Sequence, residues 1–189
     1  MMTKRSKKAI AVSLVIIVSS LFMYALRLGL VLPNPVVLRQ MGPYYLVLRP
    51  QAVARQETAH ENDEAVILNT TRLLYESGVL ADGHKAQAMT LQRSNGQKFA
   101  GLALSADLYA AALASRNADL AYVQIPADRM LTISIPRLNL LSLYVGEHSA
   151  IPQLMRSAAD RGYLDPLRLE IYDRRITYIV PPHFKLTGL

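Results

Sequence analysis

The stretch from Ala86 to Leu104, AQAMTLQRSNGQKFAGLAL, decides the fold because it has the pattern of a β-hairpin. Its two arms, Ala86–Gln92 and Gln97–Leu104, are short and mostly apolar, as strands usually are. Between them, Ser94-Asn95-Gly96 contains an Asn-Gly pair, which strongly favours a tight turn between antiparallel strands. The sequence therefore predicts two adjacent antiparallel strands in this stretch.

A strand and a helix precede this hairpin. Tyr44–Leu48 is predicted to be a strand, and the pattern over Asp63–Ser77 is typical of a helix. Asn62 or Asp63 can cap the first turn of this helix, and Gly78 can end it. The first half of the domain is therefore predicted to have the order β-α-β-β.

The second half repeats this order after a short linking helix at Ser105–Ser115. A helix is expected over Ser149–Arg161, because its apolar residues recur at helical spacing: Ile151, Leu154, Met155 and Ala158. The strands predicted around it are Leu120–Ile125, Met130–Ile135, Leu140–Val145, Leu167–Tyr172 and Ile176–Val180. The second half is longer than the first, which fits either an additional strand or an irregular crossing.

Together, the two halves indicate a degenerate internal duplication. We therefore predict an α+β fold in which two β-α-β-β repeats form an antiparallel sheet, with the helices on one face. The predicted domain covers residues 44–182, and residues 183–189 form a C-terminal tail.

An apolar segment near the N-terminus predicts a membrane anchor. Ala9–Leu26, AIAVSLVIIVSSLFMYAL, contains no charge, and the apolar sequence continues to Leu32. Because about 20 apolar residues cross the hydrocarbon of a bilayer, residues 9–32 are predicted to be a transmembrane helix and residues 33–43 an extended linker. A cleaved signal peptide is the alternative, but this run is longer than a usual signal and Met23-Tyr24-Ala25 is a poor cleavage site.

The charges next to this segment predict its orientation. Lys4, Arg5, Lys7 and Lys8 lie in residues 1–8, so the positive-inside rule places this tail in the cytoplasm and the domain outside. In a bacterium, this means a single-pass inner-membrane protein with a periplasmic domain. These four residues and Arg27 account for most of the net charge of +7, since the rest of the chain has 16 Lys/Arg against 14 Asp/Glu. The lipid bilayer is thus an expected partner, and nucleic acid is not.

Short motifs of the second half resemble those of a known family. They are Gly146–Pro152 (GEHSAIP), Gly162-Tyr163 and Pro166–Tyr172 (PLRLEIY), which lie on either side of the predicted helix. In this order they resemble the second repeat of the GyrI-like domains, also called effector-binding or SOUL-type small-molecule-binding domains. The first repeat differs from the family pattern, because Ala59-His60-Glu61-Asn62 stands in place of the usual Gly-Pro-Tyr. The chain also has no Trp, which pockets of this family often contain.

The resemblance implies a function as well as a fold. It implies a groove between the repeats, on the face away from the helices, that binds a small cationic or planar apolar molecule. Glu170 would supply the counter-charge, with Tyr172 and Tyr144 beside it. One subset of the family hydrolyses strained small molecules with a pocket carboxylate, which here would be Glu170. A non-catalytic accessory or structural subunit of a membrane complex, bound to a membrane-protein partner, is the third interpretation.

The alternation of residues gives an independent reason to consider Glu170. In Leu167–Tyr172 the apolar residues share one face of the strand, and Arg168, Glu170 and Tyr172 share the other. If the helices cover the apolar face, Glu170 opens into the groove; otherwise it is a surface residue paired with an arginine such as Arg168. No histidine spacing suits a metal, cysteine is absent, and no nucleotide-binding motif occurs, so neither a metal nor a cofactor is expected.

Overall fold

A computed structural model describes residues 4–28, 34–50, 63–115, 117–138 and 140–182. In these ranges the helices are α1 (Lys4–Leu28), α2 (Asp63–Glu76), α3 (Ala106–Ser115), α4 (Leu140–Val145) and α5 (Ile151–Ala159). A π-helical turn, Gly146–Ala150, joins α4 to α5. The strands are β1 (Val37–Met41), β2 (Tyr44–Pro50), β3 (Gln87–Gln92), β4 (Lys98–Leu104), β5 (Ala121–Ile125), β6 (Asp128–Pro136), β7 (Arg168–Tyr172) and β8 (Arg175–Val180).

The eight strands form one antiparallel sheet in the order β1-β6-β8-β7-β3-β4-β2-β5. If each strand of the first repeat (β1–β4) is replaced in this order by its counterpart in the second (β5–β8), and the reverse, the same order is read from the other edge of the sheet. This is the symmetry expected of a duplication. The predicted antiparallel α+β fold is therefore confirmed. Each repeat has one strand more than the β-α-β-β order, and this first strand, β1 or β5, pairs with a strand of the other repeat. Strand β5 is predicted as Leu120–Ile125, whereas β1 is not predicted.

Two short connections show that the sheet is strongly curled. Gly42-Pro43 joins β1 to β2, and Pro126-Ala127 joins β5 to β6, although each pair of strands lies near opposite edges of the sheet. Because so short a connection reaches only about 10 Å, the two edges must approach each other. The two connections are close together, since a Cβ added to Gly42 would lie 3.2 Å from the carbonyl oxygen of Pro126.

The concave face of the curled sheet is filled with apolar side chains. They come from strands at both ends of the sheet: Leu46, Leu48, Met89, Leu91, Phe99, Val123, Ile125, Met130, Leu169, Ile171 and Ile179. Since no helix is needed to cover them, the sheet closes over this core by itself. The prediction of an open groove on the face away from the helices is therefore wrong at the centre of the sheet.

The helices that cover the sheet lie on its convex face. α2 and α3 pack against β2 and β4, and α5 packs against β6 and β8. The residues that α2 and α5 bury there are Val66, Thr70, Leu74, Ile151, Leu154 and Ala158. The prediction that two long helices lie on the same side of the sheet is confirmed.

Two predictions of local structure are wrong. Leu140–Val145 forms α4 rather than a strand, because it continues through the π-helical turn into α5. At its start, the Ser142 hydroxyl accepts a hydrogen bond from the backbone N–H of Leu138 at 3.0 Å. Residues 33–43 are not simply a linker, because Val37–Met41 pairs with β6 as strand β1.

Helix α1 contacts β6 near its end. Its apolar side chains are exposed from Val12 to Met23, whereas residues 24–26 are half-buried where the helix contacts β6. Among the helices in the described ranges, none has both the length and the apolar character required to span a membrane. Several positions named above lie outside the described residues, namely residues 29–32 of the predicted anchor, Ala59–Asn62 and the tail 183–189.

Candidate ligand site around Glu170

Glu170 lies on β7, near the centre of the sheet, and is only 7% exposed. Its register partners are Thr90 on β3 and Tyr178 on β8. Tyr178 belongs to the core beneath α5, so Glu170 faces the helices, between the strands covered by α2 and those covered by α5. The prediction that Glu170 faces away from the helices is wrong, because Leu169 and Ile171 point into the concave core instead.

Both carboxylate oxygens of Glu170 are engaged. An Arg168 guanidinium nitrogen lies 2.9 Å from Oε1, and the Tyr172 hydroxyl donates a hydrogen bond to Oε2 at 2.6 Å. Arg168 also donates a hydrogen bond to the side-chain oxygen of Gln92. A buried charge is tolerated when it is paired and hydrogen-bonded, and Glu170 satisfies both conditions. We call Thr90, Arg168, Glu170, Tyr172 and Tyr178 the Glu170 cluster.

The tyrosines of this cluster retain their protons. Burial raises the pKa of Tyr172 well above its usual value, and the nearby negative charge of Glu170 raises it further. Burial also raises the pKa of Tyr178, and here the Glu170 carboxylate adds to the effect while Arg168 opposes it. Thr90 acts in the opposite direction and lowers the pKa of Tyr172. Both phenols are therefore neutral at physiological pH, and Tyr172 is available as a donor to Glu170.

One buried polar atom of the cluster lacks a partner among the described residues. This atom is Nε of Arg168, whose side chain is mostly buried. An unsatisfied buried donor costs roughly 1–3 kcal/mol. Arg168 Nε is therefore an unsatisfied donor inside the Glu170 cluster.

A cleft of about 760 Å³ adjoins the cluster at Tyr172. Tyr44, Tyr45 and Tyr172 line it, together with the charged residues Lys85 and Asp173. Its volume lies in the range of small-molecule sites. Tyr172 connects the cleft to the buried carboxylate, because it lines the cleft while its hydroxyl is bonded to Glu170.

The structure brings two of the three predicted site residues together. Glu170 and Tyr172 are in direct contact, whereas Tyr144 is exposed on α4 and its ring stacks on His148 with centroids 4.1 Å apart. Thr90 is a member of the cluster that the sequence did not indicate. Its place follows from the pairing of β3 with β7, and no local pattern indicates that long-range pairing.

In the part of the chain that the structure describes, no three His, Asp or Glu side chains are grouped so as to hold a metal ion. No model of a known protein family matches the chain, and no curated protein does. The geometry around Glu170 and the adjoining cleft is therefore the basis for a functional assignment.

Proposed function

We propose that this protein is a membrane-tethered module that binds a small planar apolar or cationic molecule in the cleft beside Tyr172. The observation that carries this proposal is the buried Arg168–Glu170 ion pair, which Tyr172 connects to the cleft. Tyrosine rings stack on planar molecules and attract cations to their faces. The resemblance to GyrI-like domains supports the same class of ligand.

The hydrogen bond from Tyr172 to Glu170 favours a cationic ligand in particular. A phenol that donates to a carboxylate has a more electron-rich ring, which attracts a cation more strongly. We infer binding rather than hydrolysis, because Arg168 and Tyr172 occupy both oxygens of Glu170. A general base needs an oxygen within reach of the proton that it removes.

Titration of the full-length protein in nanodiscs with tetraphenylphosphonium tests this proposal, with empty nanodiscs as the blank. Tyr172→Ala should weaken binding about tenfold, because a ring contact with a desolvated cation contributes up to about 2 kcal/mol. Tyr172→Phe keeps the ring and should retain most of the binding. Tyr75→Phe, an exposed tyrosine on α2, is the matched control. Absence of saturable binding, or equal binding by Tyr172→Ala, would contradict the proposal.

We also propose that residues 9–32 anchor the domain in a bilayer with the N-terminus in the cytoplasm. The consecutive side chains of residues 14–18 in α1 are each more than half exposed, so the domain covers no face of this part of the helix. The described part of this segment, residues 9–28, is helical and extends about 30 Å, which is close to the thickness of the hydrocarbon. A reporter active only outside the cytoplasm, fused after Leu189, should be active; activity of only a cytoplasmic reporter would reverse the orientation.

A second apolar surface supports contact of the domain with lipid. Four leucines, one just before α4 and three within it, are exposed: Leu138, Leu140, Leu141 and Leu143. This segment begins just after β6 ends. Asn34, which comes after α1 in the chain, lines one cleft with Ser134 of β6 and therefore lies near the same end of β6. Arg137 and Arg174 are exposed beside it. Leucines flanked by arginines fit the surface of a bilayer that contains anionic lipids.

A single tryptophan can report on this contact, since the natural chain has none. Leu140 is 82% exposed, and Leu140→Trp in liposomes should give blue-shifted emission that brominated lipid quenches. Leu164 is 86% exposed and precedes β7, and Leu164→Trp should be quenched by aqueous acrylamide instead. Equal quenching of the two variants by acrylamide would exclude the lipid contact. Release of the protein by alkaline carbonate would exclude the anchor.

The second candidate function is an accessory subunit of a membrane complex. The filled concave face favours it, because the centre of that face offers no room for a ligand. The chain has no cysteine, so Leu143→Cys allows site-specific cross-linking in native membranes, with Leu164→Cys as the control. A discrete adduct formed only by Leu143→Cys would support this function, and identical patterns from both variants would contradict it.

A further inference from the structure

A second cleft, of about 490 Å³, lies beside β1, β6 and β8. Polar and basic residues dominate its lining: Asn34, Arg39, Thr132, Ser134, Arg175 and Thr177. None of the described residues that line it is acidic. This cleft therefore has a positive charge, in contrast to the mixed charges beside Tyr172.

The strand register explains why polar residues collect there. Thr132 is opposite Val37, and Ser134 is opposite Thr177, so these side chains lie on the concave face of the sheet. Along that face the apolar core ends at Met130 on β6 and at Ile179 on β8. Beyond this point the same face is lined by hydroxyls and arginines, which makes the end of the concave core polar.

The two arginines have unused hydrogen-bonding capacity. Arg175 donates one hydrogen bond to the backbone oxygen of Ser134 at 3.0 Å, which leaves most of its five N–H donors without a partner among the described residues. The Arg39 side chain forms no ion pair or hydrogen bond with the residues that the structure describes. The Ser134 and Thr177 hydroxyls are 2.9 Å apart and bonded to each other. Two guanidinium groups thus share a cleft with hydroxyls and lack a carboxylate partner in the part of the chain that the structure describes.

We propose that the cleft between Arg39 and Arg175 is a binding site for a phosphate group. Guanidinium groups match the geometry of phosphate oxygens and bind them through charge-assisted hydrogen bonds. The phosphate belongs to either a lipid headgroup or a soluble phosphate ester. The cleft includes Asn34 and Pro35, just after α1, so a lipid headgroup could reach it if α1 is the anchor. Only the lipid source rests on that proposed anchor, because the site itself does not require it.

Titration of the full-length protein with inorganic phosphate, in a phosphate-free maltoside detergent, tests the site. Arg39→Gln and Arg175→Gln should each weaken binding about tenfold, as expected when a charge-assisted hydrogen bond is lost. Both arginines are exposed, so these variants should keep the fold, which thermal unfolding checks. Arg161→Gln, an exposed residue after α5, is the matched control and should bind as the wild type does. No saturable binding, or equal binding by the double variant, would overturn the proposal.

A second titration identifies the source of the phosphate. Dihexanoyl phosphatidylglycerol is a short-chain lipid that carries the same chemical group. Binding about tenfold tighter than that of inorganic phosphate, and lost in Arg39→Gln/Arg175→Gln, would support the site and assign a lipid headgroup. Binding no tighter than that of inorganic phosphate would support a soluble phosphate ester. Binding of the lipid unaffected by the double variant would overturn the site while leaving the anchor untouched.

Discussion

Glu170 is held by two neighbours on its own strand, and the ion pair with Arg168 decides what its substitution costs. Breaking a buried pair leaves the remaining charge uncompensated, which typically costs 3–5 kcal/mol. We therefore expect Glu170→Gln to lower the free energy of unfolding by about 3 kcal/mol, and Arg168→Met to have a similar effect. The double variant Arg168→Met/Glu170→Leu should lose much less than the sum of the two single effects, as measured by urea unfolding. Additive losses would show that the pair is not coupled.

The raised pKa of Tyr172 predicts a loss of stability at high pH. A folded-state pKa above the unfolded value near 10 means that folding favours the protonated phenol. This contribution is fully present below pH 10 and is lost as the pH rises above it, by at most about 1.4 kcal/mol per pH unit for one tyrosine. Tyr172→Phe removes this titration, so its stability should fall less steeply than that of the wild type between pH 9 and pH 11. Equal slopes in urea unfolding would contradict the assignment to Tyr172.

At the scale of single residues, alternation along β7 is informative but incomplete. It correctly predicts that Arg168, Glu170 and Tyr172 share a face. It does not reveal which face the helices cover, because both faces of this strand are buried. The apolar face, with Leu169 and Ile171, packs inside the curl of the sheet rather than beneath a helix. Knowledge of the curl is therefore required before Glu170 can be placed.

At the scale of elements, α4, the π-helical turn and α5 form one helical segment that a sequence pattern divides incorrectly. Leu140–Val145 is a short apolar run, and such runs do not distinguish a strand from a helix by periodicity. The same limit applies to β1, since Val37–Met41 becomes a strand only through pairing with β6. By contrast, α2 and the β3–β4 hairpin are predicted well, because caps and an Asn-Gly turn are local signals.

The π-helical turn depends on Gly146. A Cβ at this position would overlap the hydroxyl of Tyr178, so the ring of Tyr178 fits only beneath a glycine. We expect Gly146→Ala to lower the free energy of unfolding by about 1–3 kcal/mol, as overpacking usually does. Tyr178→Phe removes the overlapping oxygen, so Gly146→Ala should cost less in that background. An equal cost in both backgrounds, measured by thermal unfolding, would show that the overlap is relieved elsewhere.

At the scale of the whole molecule, the curl of the sheet has a signal in the sequence that alternation alone conceals. Leu46, Val47 and Leu48 are consecutive residues of β2 and are all fully buried. A sheet with one open face would expose every second residue, so a continuous apolar run indicates burial on both faces. The duplication is also visible in the order of the elements. The exchange of β1 and β5 between the repeats is not visible in the sequence, because no local pattern determines the partner of an edge strand.

The exchange of these two strands affects how the protein is made. The Thr132 hydroxyl donates a hydrogen bond to the backbone oxygen of Val37, 95 residues earlier in the chain. During synthesis, β1 therefore cannot pair with β6 until β6 has been translated. Until then, the first half lacks β5 and offers an unpaired strand of its own, which is the usual starting point of aggregation. Two separate polypeptides, residues 1–115 and 117–189, should therefore assemble into the native sheet when they are produced together, since each provides the strand that the other lacks. Produced alone, each fragment should aggregate, and removal of residues 34–41 from the first should weaken co-purification with the second, because the β2–β5 and β3–β7 pairings remain.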